Sequence, residues 1–286
     1  MTSDSGRVWL VTGCDSGMGH HIAETALKKG DSVAATILAK SDTGPLSEKY
    51  GNRCRYYHLD VRDTAMVKEV VARAERDFGR IDVLMNNAGY GLHGALEETA
   101  EDEYRRLFDV NVFGLAEVTR AVLPGMRARR SGRIINTASL AGFAGKMGLA
   151  FYCASKFAVA GLSEALAAEV GPLGIKVTVI EPGSFRTEFA GTSLAGARDV
   201  IDDYADTGGI FRKGIVAKNG LQPNDPAKLG DVIWTLSNIE NPPMHLPIGE
   251  DSLLELLGKL ETTRQTAEKW RELSSSTYFD DVKASA

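Results

Sequence analysis

The sequence predicts an α/β fold, a parallel β-sheet doubly wound with helices on both faces, and three observations carry that expectation. Short apolar runs without polar alternation recur along the chain, as in strands buried on both sides. Stretches with helical spacing lie between them, so strand and helix alternate from residue 7 to residue 183. The first apolar run also breaks into a glycine turn that opens a helix. Such alternation makes consecutive strands parallel, because each crossover packs back onto the sheet through a right-handed connection.

The elements follow in order. "RVWLVT" (7–12) is a short apolar run that stops at Gly13 and reads as a buried strand. Met18, Ile22 and Ala26 recur at helical spacing between Gly17 and about Lys29, and Gly30 closes that helix. "SVAAT" (32–36) is the second strand and "CRYYHLDV" (54–61) the third, after which Asp63 caps a helix that runs to about Phe78. "IDVLMNNAG" (81–89) is a fourth strand entering a glycine turn, and a long helical region spans about 101–130. "GRIINTAS" (132–139) is the fifth strand, residues 151–170 a helix, and "IKVTVIEPG" (175–183) a sixth strand stopped by Pro182.

Residues 184–225 are less regular, with isolated Phe185, Phe189, Tyr204 and Phe211. A loop this long in a compact domain is commonly a lid or a disordered segment. Its aromatic residues suit an apolar lid over a hydrophobic or aromatic substrate, or a loop packed on itself. A helix near 226–237, the apolar stretch "MHLPIG" (244–249) and helix-forming residues 251–272 follow. No linker interrupts the alternation, so one domain over 1–286 is expected. Its parts are a core over 7–187, a substrate-loop region over 188–225, and a helix, strand and helical tail over 226–286.

Composition narrows the class. Apolar residues are 43% and charged residues 25% of the 286, near globular averages, so a sizeable core can form. A net charge of −5 argues against a nucleic-acid surface. The one dense basic run, Arg127, Arg129, Arg130 and Arg133, falls where a helix ends and complements its carbonyl terminus. Cys14, Cys54 and Cys153 have neither disulfide-framework nor zinc spacing, so no metal is expected. No signal-peptide pattern opens the chain, and no apolar run reaches the ~18 residues of a membrane span. A cytoplasmic protein is the expectation.

"VTGCDSGMGH" (11–20) carries the first functional signal. Gly13 permits a tight turn, while Gly17 and Gly19 let a diphosphate approach the N–H groups at a helix N-terminus. Asp15, Ser16 and Met18 belong to the same turn, so a dinucleotide site over residues 13–19 is expected. An acid about 20 residues on usually holds the ribose hydroxyls. Here Ile37 and Leu38 stand in that place, with Lys40 shortly after. A missing acid removes repulsion against a 2′-phosphate, so NADP is favoured over NAD.

"TGCDSGMG" (12–19), "NNAG" (86–89), Asn111 in "VNVFG", Ser139, "YCASK" (152–156) and "PGSFRT" (182–187) together resemble the classical short-chain dehydrogenases/reductases, in order and spacing over residues 7–187. "NNAGYG", "YCASK" and the long C-terminal tail look most like the 17-beta-hydroxysteroid-dehydrogenase-like branch. The resemblance implies a Rossmann-type sheet of seven strands with a helical C-terminal extension. It also implies that Asp60 and Val61 line the adenine site, with Leu38 and Lys40 at the ribose. Asn87, Ala88 and Gly89 would border the ribose and strand four, and Pro182, Gly183 and Thr187 the nicotinamide. By the same resemblance the long helices 101–130 and 151–170 pair across a two-fold axis in a homodimer or homotetramer.

Tyr152 and Lys156 supply the chemistry. Reduction of a ketone needs a proton for the new alcohol, and oxidation needs a base to remove one. A phenol titrating near 10 is a poor base at neutral pH. An ammonium one turn along the same helix face is expected to make it more acidic. Lys156 would also bond the nicotinamide ribose, beside Tyr152. Ser139 would hold the substrate oxygen, and Asn111, in a helix, would hold a water relaying protons to Lys156. With eight tyrosines, one Tyr-x-x-x-Lys proves little by itself. Ser139 at a strand end and the glycine turn make it a set.

His93 is read as an exposed loop residue or one facing the substrate, and Cys14 as space-filling. Cys153 points about 100° round the helix from Tyr152 and is no nucleophile. The expected activity is NAD(P)-dependent hydride transfer between nicotinamide and a small-molecule ketone or secondary alcohol, with a hydrophobic or aromatic substrate expected. The rival reading is a cofactor-binding sensor or scaffold without chemistry.

Overall fold

The computed structural model describes residues 6–41, 43–191, 193–217 and 219–279. The chain runs β1 (Val8–Val11), α1 (Gly17–Lys28), β2 (Ser32–Ile37), α2 (Pro45–Tyr50), β3 (Cys54–His58), α3 (Thr64–Phe78), β4 (Val83–Asn86), β5 (Gly91–His93) and α4 (Glu101–Phe108). A wide π turn (Asp109–Gly114) leads into α5 (Leu115–Arg129). There follow β6 (Gly132–Thr137), α6 (Ala150–Val170), β7 (Ile175–Pro182), β8 (Leu194–Gly196), α7 (Gly208–Ala217), α8 (Pro226–Leu236), β9 (His245–Ile248), α9 (Glu250–Lys269) and α10 (Arg271–Ser274).

Seven strands form one sheet in the order β3-β2-β1-β4-β6-β7-β9, and every neighbouring pair is parallel. The chain first winds outward from β1 to β3 and then returns to β4 on the other side of β1. That reversal opens a crevice beyond the carboxyl ends of β1 and β4.

The strands are largely apolar, and β1 wholly so, because helices cover both faces of the sheet. Trp9, Val11, Val33 and Met85 join a core with Ile22 of α1 and Ile233 of α8. Leu10, Ala34, Leu84 and Ile134 face the other way, onto Val67 of α3, Val122 of α5 and Leu166 of α6. Each such side chain, taken fully out of water, contributes about 1.5–3 kcal/mol. The helix signals also act as expected. Asp63 accepts hydrogen bonds from the amides of Ala65 and Met66, each at 3.0 Å, and Gly79 at φ +85° ends α3.

Two features depart from the sequence reading. The helical region 101–130 is broken by the π turn, so Asn111 does not sit in a regular helix. Residues 184–225 are more ordered than their pattern indicates: β8 pairs in parallel with β5, Gly91 opposite Leu194, and α7 follows. Three-residue strands carry no readable period, which hid them. The basic run does fall where α5 ends, with Arg127 and Arg129 in its last turn, and two of its guanidinium groups also reach carbonyls beyond that helix. Arg129 donates to Ile81 O and Arg130 to Pro172 O, each at 2.7 Å. In the C-terminal region α9 buries only Ser252. Among the described residues, no helix is long and apolar enough to cross a membrane.

Candidate active site

The glycine turn after β1 and the turn after β4 are bolted together at the crevice. The Thr12 hydroxyl accepts from the amides of Asn87 at 2.9 Å and Ala88 at 3.0 Å. The Asn87 side chain donates back to the carbonyls of Thr12 and Gly13, at 3.0 Å each. Gly13 and Gly17 adopt φ of +71° and +58°, and a Cβ on Gly19 would overlap the Gly13 carbonyl oxygen. A cleft of about 780 Å³ lies over this floor, lined by Gly13, Ser16, Gly17, Met18, Ala88 and Gly89 among others. Ser16 heads α1 without a side-chain cap, so the first N–H groups of that helix face the cleft without a capping side chain. Sequence reading missed Thr12, whose signal was a hydroxyl at a strand end before the first glycine.

At the far end of the cleft stand Leu38, Asp60 and Val61. The Asp15 carboxylate accepts from the Leu38 amide, at 3.2 and 3.4 Å to its two oxygens. Arg62, not singled out from sequence, pairs with Asp60 at 2.5 Å, and that bond holds the Asp60 carboxyl below its usual range. Lys40 is exposed and does not line the cleft. Thr187 lines its opposite end, 3.4 Å from where a Gly17 Cβ would sit. Pro182 is buried at the end of β7, and Gly183 packs against Asp251, which leaves no room for a side chain there.

Ser139, Tyr152, Lys156 and Asn111 converge beside Gly89. Ser139 follows β6, accepts from the Ala141 amide at 3.1 Å, and shares a hydrogen bond with Tyr152. Tyr152 and Lys156 sit one turn apart on α6, only 7% and 5% exposed. Lys156 Nζ donates to Thr137 O at 2.8 Å and lies 5.9 Å from the centre of the Tyr152 ring. From the π turn, Asn111 donates to Tyr90 O at 2.9 Å and to Ser155 Oγ at 3.2 Å. A Cβ on Gly89 would stand 3.0 Å from Asn111 Oδ1 and 3.6 Å from Lys156 Nζ, so glycine there lets the two approach. Below, Asn86 bonds Thr119 and Asn136 at 2.9 Å each, and Asn136 bonds Ser163 at 2.8 Å. That buried polar chain went unread, since an asparagine inside a strand has no distinguishing spacing.

Burial, not the lysine, dominates the ionisation of the pair. Burial pushes the Tyr152 phenol up to about 12, with the Ser139 bond pulling the other way. Burial also draws the Lys156 ammonium down to about 8. The expected acidification of the phenol by the neighbouring ammonium is therefore absent from this conformation. The loop contributes to the burial of Tyr152: the Phe189 ring stands 5.8 Å from the Tyr152 ring, and Leu149 and Leu194 pack into the same cluster. With water excluded, each group favours its neutral form.

Phe189 and Phe211 thus belong to the apolar face of the loop, with Ile215. Phe185 instead packs on the α1–α8 core, and Tyr204 points its hydroxyl to Glu97 at 2.8 Å. Buried Glu98 ties the loop down, accepting from Ile201 N at 3.0 Å and Arg212 at 2.9 Å. His93 is half-buried on β5, 6.4 Å from the Phe211 ring, and burial lowers its basicity. Cys14 lies in the core, and Cys153 accepts from the Lys146 amide at 3.3 Å, away from the cleft.

A parallel sheet with a glycine-lined crevice and a Ser–Tyr–Lys set, its tyrosine and lysine buried, defines a dehydrogenase class, and known proteins agree. The family model described as short chain dehydrogenase matches residues 7–197. Oxidoreductase BOA17 of Botryotinia fuckeliana is 38% identical over 270 residues, 94% of this chain and 98% of that protein. The crystal structure of a short-chain dehydrogenase from Streptomyces avermitilis superposes with a TM-score of 0.90 at 40% identity, covering 96% of this chain and 100% of the other. The closed form of serine dehydrogenase complexed with NADP+ gives 0.73 at 28% identity, over 84% and 94%. The chain belongs to the short-chain dehydrogenase family.

Proposed function

We propose that this family member is an NAD(P)-dependent oxidoreductase interconverting an apolar or aromatic ketone and its secondary alcohol, with Tyr152 as acid and base. One observation carries the reading: Ser139, Tyr152, Lys156 and Asn111 come together behind Gly89 and Tyr90, which line a cleft with a glycine floor and an uncapped helix N-terminus. The cleft fits a dinucleotide, since Gly13 and Gly17 present bare backbone and α1 presents uncapped N–H groups. Gly13, Gly17 and Met18 would hold the diphosphate, Asp60 and Val61 the adenine, Asn87 to Gly89 and Lys156 a ribose, and Thr187 the nicotinamide. When bound, that group supplies the hydride, which no side chain can.

The chain's own residues manage the proton and the substrate. Ser139 donates to the substrate oxygen and holds it beside the Tyr152 hydroxyl. A phenol at about 12 is neutral at pH 7, the form that gives a proton to a ketone oxygen during reduction. Oxidation needs the phenolate, so it calls for higher pH or added positive charge nearby. Asn111 holds the segment after β4 against α6, and a water at Asn111 is the proposed proton relay to Lys156. Substrate takes the place of Phe189 over Tyr152, and Leu92, Leu149, Leu194 and Phe211 select apolar surface. Residues 188–225 act as the substrate loop of one domain spanning 1–286.

A panel of alicyclic and aromatic ketones with their alcohols, followed at the nicotinamide absorbance with NADH and NADPH, tests the reading. Turnover of apolar members supports it. Dinucleotide binding without turnover across the panel would favour a sensor or scaffold, and failure to bind either dinucleotide would refute it.

A further inference from the structure

The missing acid after β2 led the sequence reading towards NADP. The structure supplies that acid from another place. Asp15, in the glycine turn, reaches across to the end of β2 and takes the amide of Leu38, 23 residues on, at 3.2 and 3.4 Å. This brings a carboxylate to the position where dinucleotide-binding units keep their ribose-reading acid. It also occupies the backbone donor that a 2′-phosphate would use there.

Most of the surrounding cations are engaged elsewhere or stand off the cleft wall. Ile37 is buried and Leu38 is 65% exposed, so neither offers a charge. Lys40 is exposed and off the cleft wall. Arg62 lines the cleft, but its Nε and Nη2 are engaged by Asp60, at 2.9, 3.1 and 2.5 Å. Arg106 lies on the cleft wall near Asp60, whose charge it partly balances, and Arg198 pairs with Asp102 and Glu103. A 2′-hydroxyl can donate to the Asp15 carboxylate, whereas a 2′-phosphate meets like charge there, and among the described residues no cation is paired with Asp15.

We infer that Asp15 makes this site select NAD+ over NADP+. The inference rests on the nicotinamide-dinucleotide reading above. Asp15→Asn removes the charge and keeps an oxygen that can accept from Leu38 N, so the turn is retained. Equilibrium binding by calorimetry is measured for NAD+ and NADP+, and for the probes 5′-AMP and adenosine 2′,5′-bisphosphate, which report the ribose end without chemistry. The wild type is expected to bind NAD+ at least about tenfold more tightly than NADP+, from like-charge repulsion at close range. Asp15→Asn is expected to tighten NADP+ and the bisphosphate about tenfold while moving NAD+ and 5′-AMP less than about threefold. A wild-type preference for NADP+ overturns the inference, as does an unmoved ratio in Asp15→Asn with an unchanged unfolding midpoint. Absence of binding by both dinucleotides instead overturns the reading beneath it.

Discussion

Lys156→Met exchanges a buried ammonium for an apolar side chain of similar length and helix propensity. Burial draws Lys156 from its ordinary 10.5 down to about 8. Each unit corresponds to about 1.4 kcal/mol, so keeping the charged form inside costs up to about 3 kcal/mol at pH 7. Donation to Thr137 O at 2.8 Å returns part of this. Losing that bond costs about 1–2 kcal/mol, so the variant is expected to gain roughly 1–2 kcal/mol at pH 7. The pH dependence is the sharper signature. Between pH 8 and 10.5 the unfolded lysine keeps a proton that the folded one has released. Wild-type stability therefore rises with pH across that window, and the Met variant lacks this term. Urea unfolding of both proteins at pH 7 and 9.5 should show the gap moving in favour of wild type by about 2 kcal/mol. A gap that stays constant between the two pH values would show that Lys156 is not desolvated and refute the reasoning. The variant should also lose turnover, since a stabilising change at a functional site removes the function that strained it.

Phe189→Ala uncovers Tyr152 from the ring 5.8 Å away. Relieved of that burial, the phenol should titrate about 1 unit lower, shifting the rising limb of the oxidation rate to lower pH; an unshifted profile would count against the lid as a contributor. Glu98→Gln weakens the buried anchor of Ile201 and Arg212, 3.0 and 2.9 Å away. Loss of about 2 kcal/mol of local stability should speed limited trypsin cleavage at Arg198 and Arg212 roughly tenfold or more, read by mass spectrometry.

The legibility of this chain follows from how many residues each signal spans. Strand alternation and the two-sided burial of β1, β2, β4 and β6 extend over whole elements, so the sheet is readable before any coordinates. Gly13, Gly17 and Gly19 were readable because backbone geometry admits few substitutes. Ser139, Tyr152 and Lys156 were readable as a set and come together as one. Other features rest on pairs distant in sequence and weak in pattern. β5 and β8 are three residues each and meet only through tertiary pairing, 103 positions apart at Gly91 and Leu194. Thr12, Asn86 and Asn136 matter through hydrogen bonds that leave no period. Asp15 looks like a turn residue until β2 is seen beside it. The acidity of Tyr152 was misjudged for a related reason: helix spacing shows the neighbouring charge but not the desolvation to which Phe189 contributes from the loop.

Tyr152→Phe is the most direct measurement of whether the position-152 hydroxyl handles the proton. It removes one oxygen, keeps the buried ring against Phe189, and leaves the glycine turn untouched. With the best substrate of the ketone panel, turnover is expected to fall at least about 100-fold, while dinucleotide affinity by calorimetry stays within about threefold. Turnover within a few-fold of wild type, with affinity likewise unchanged, would contradict the assignment of Tyr152 as the acid and base.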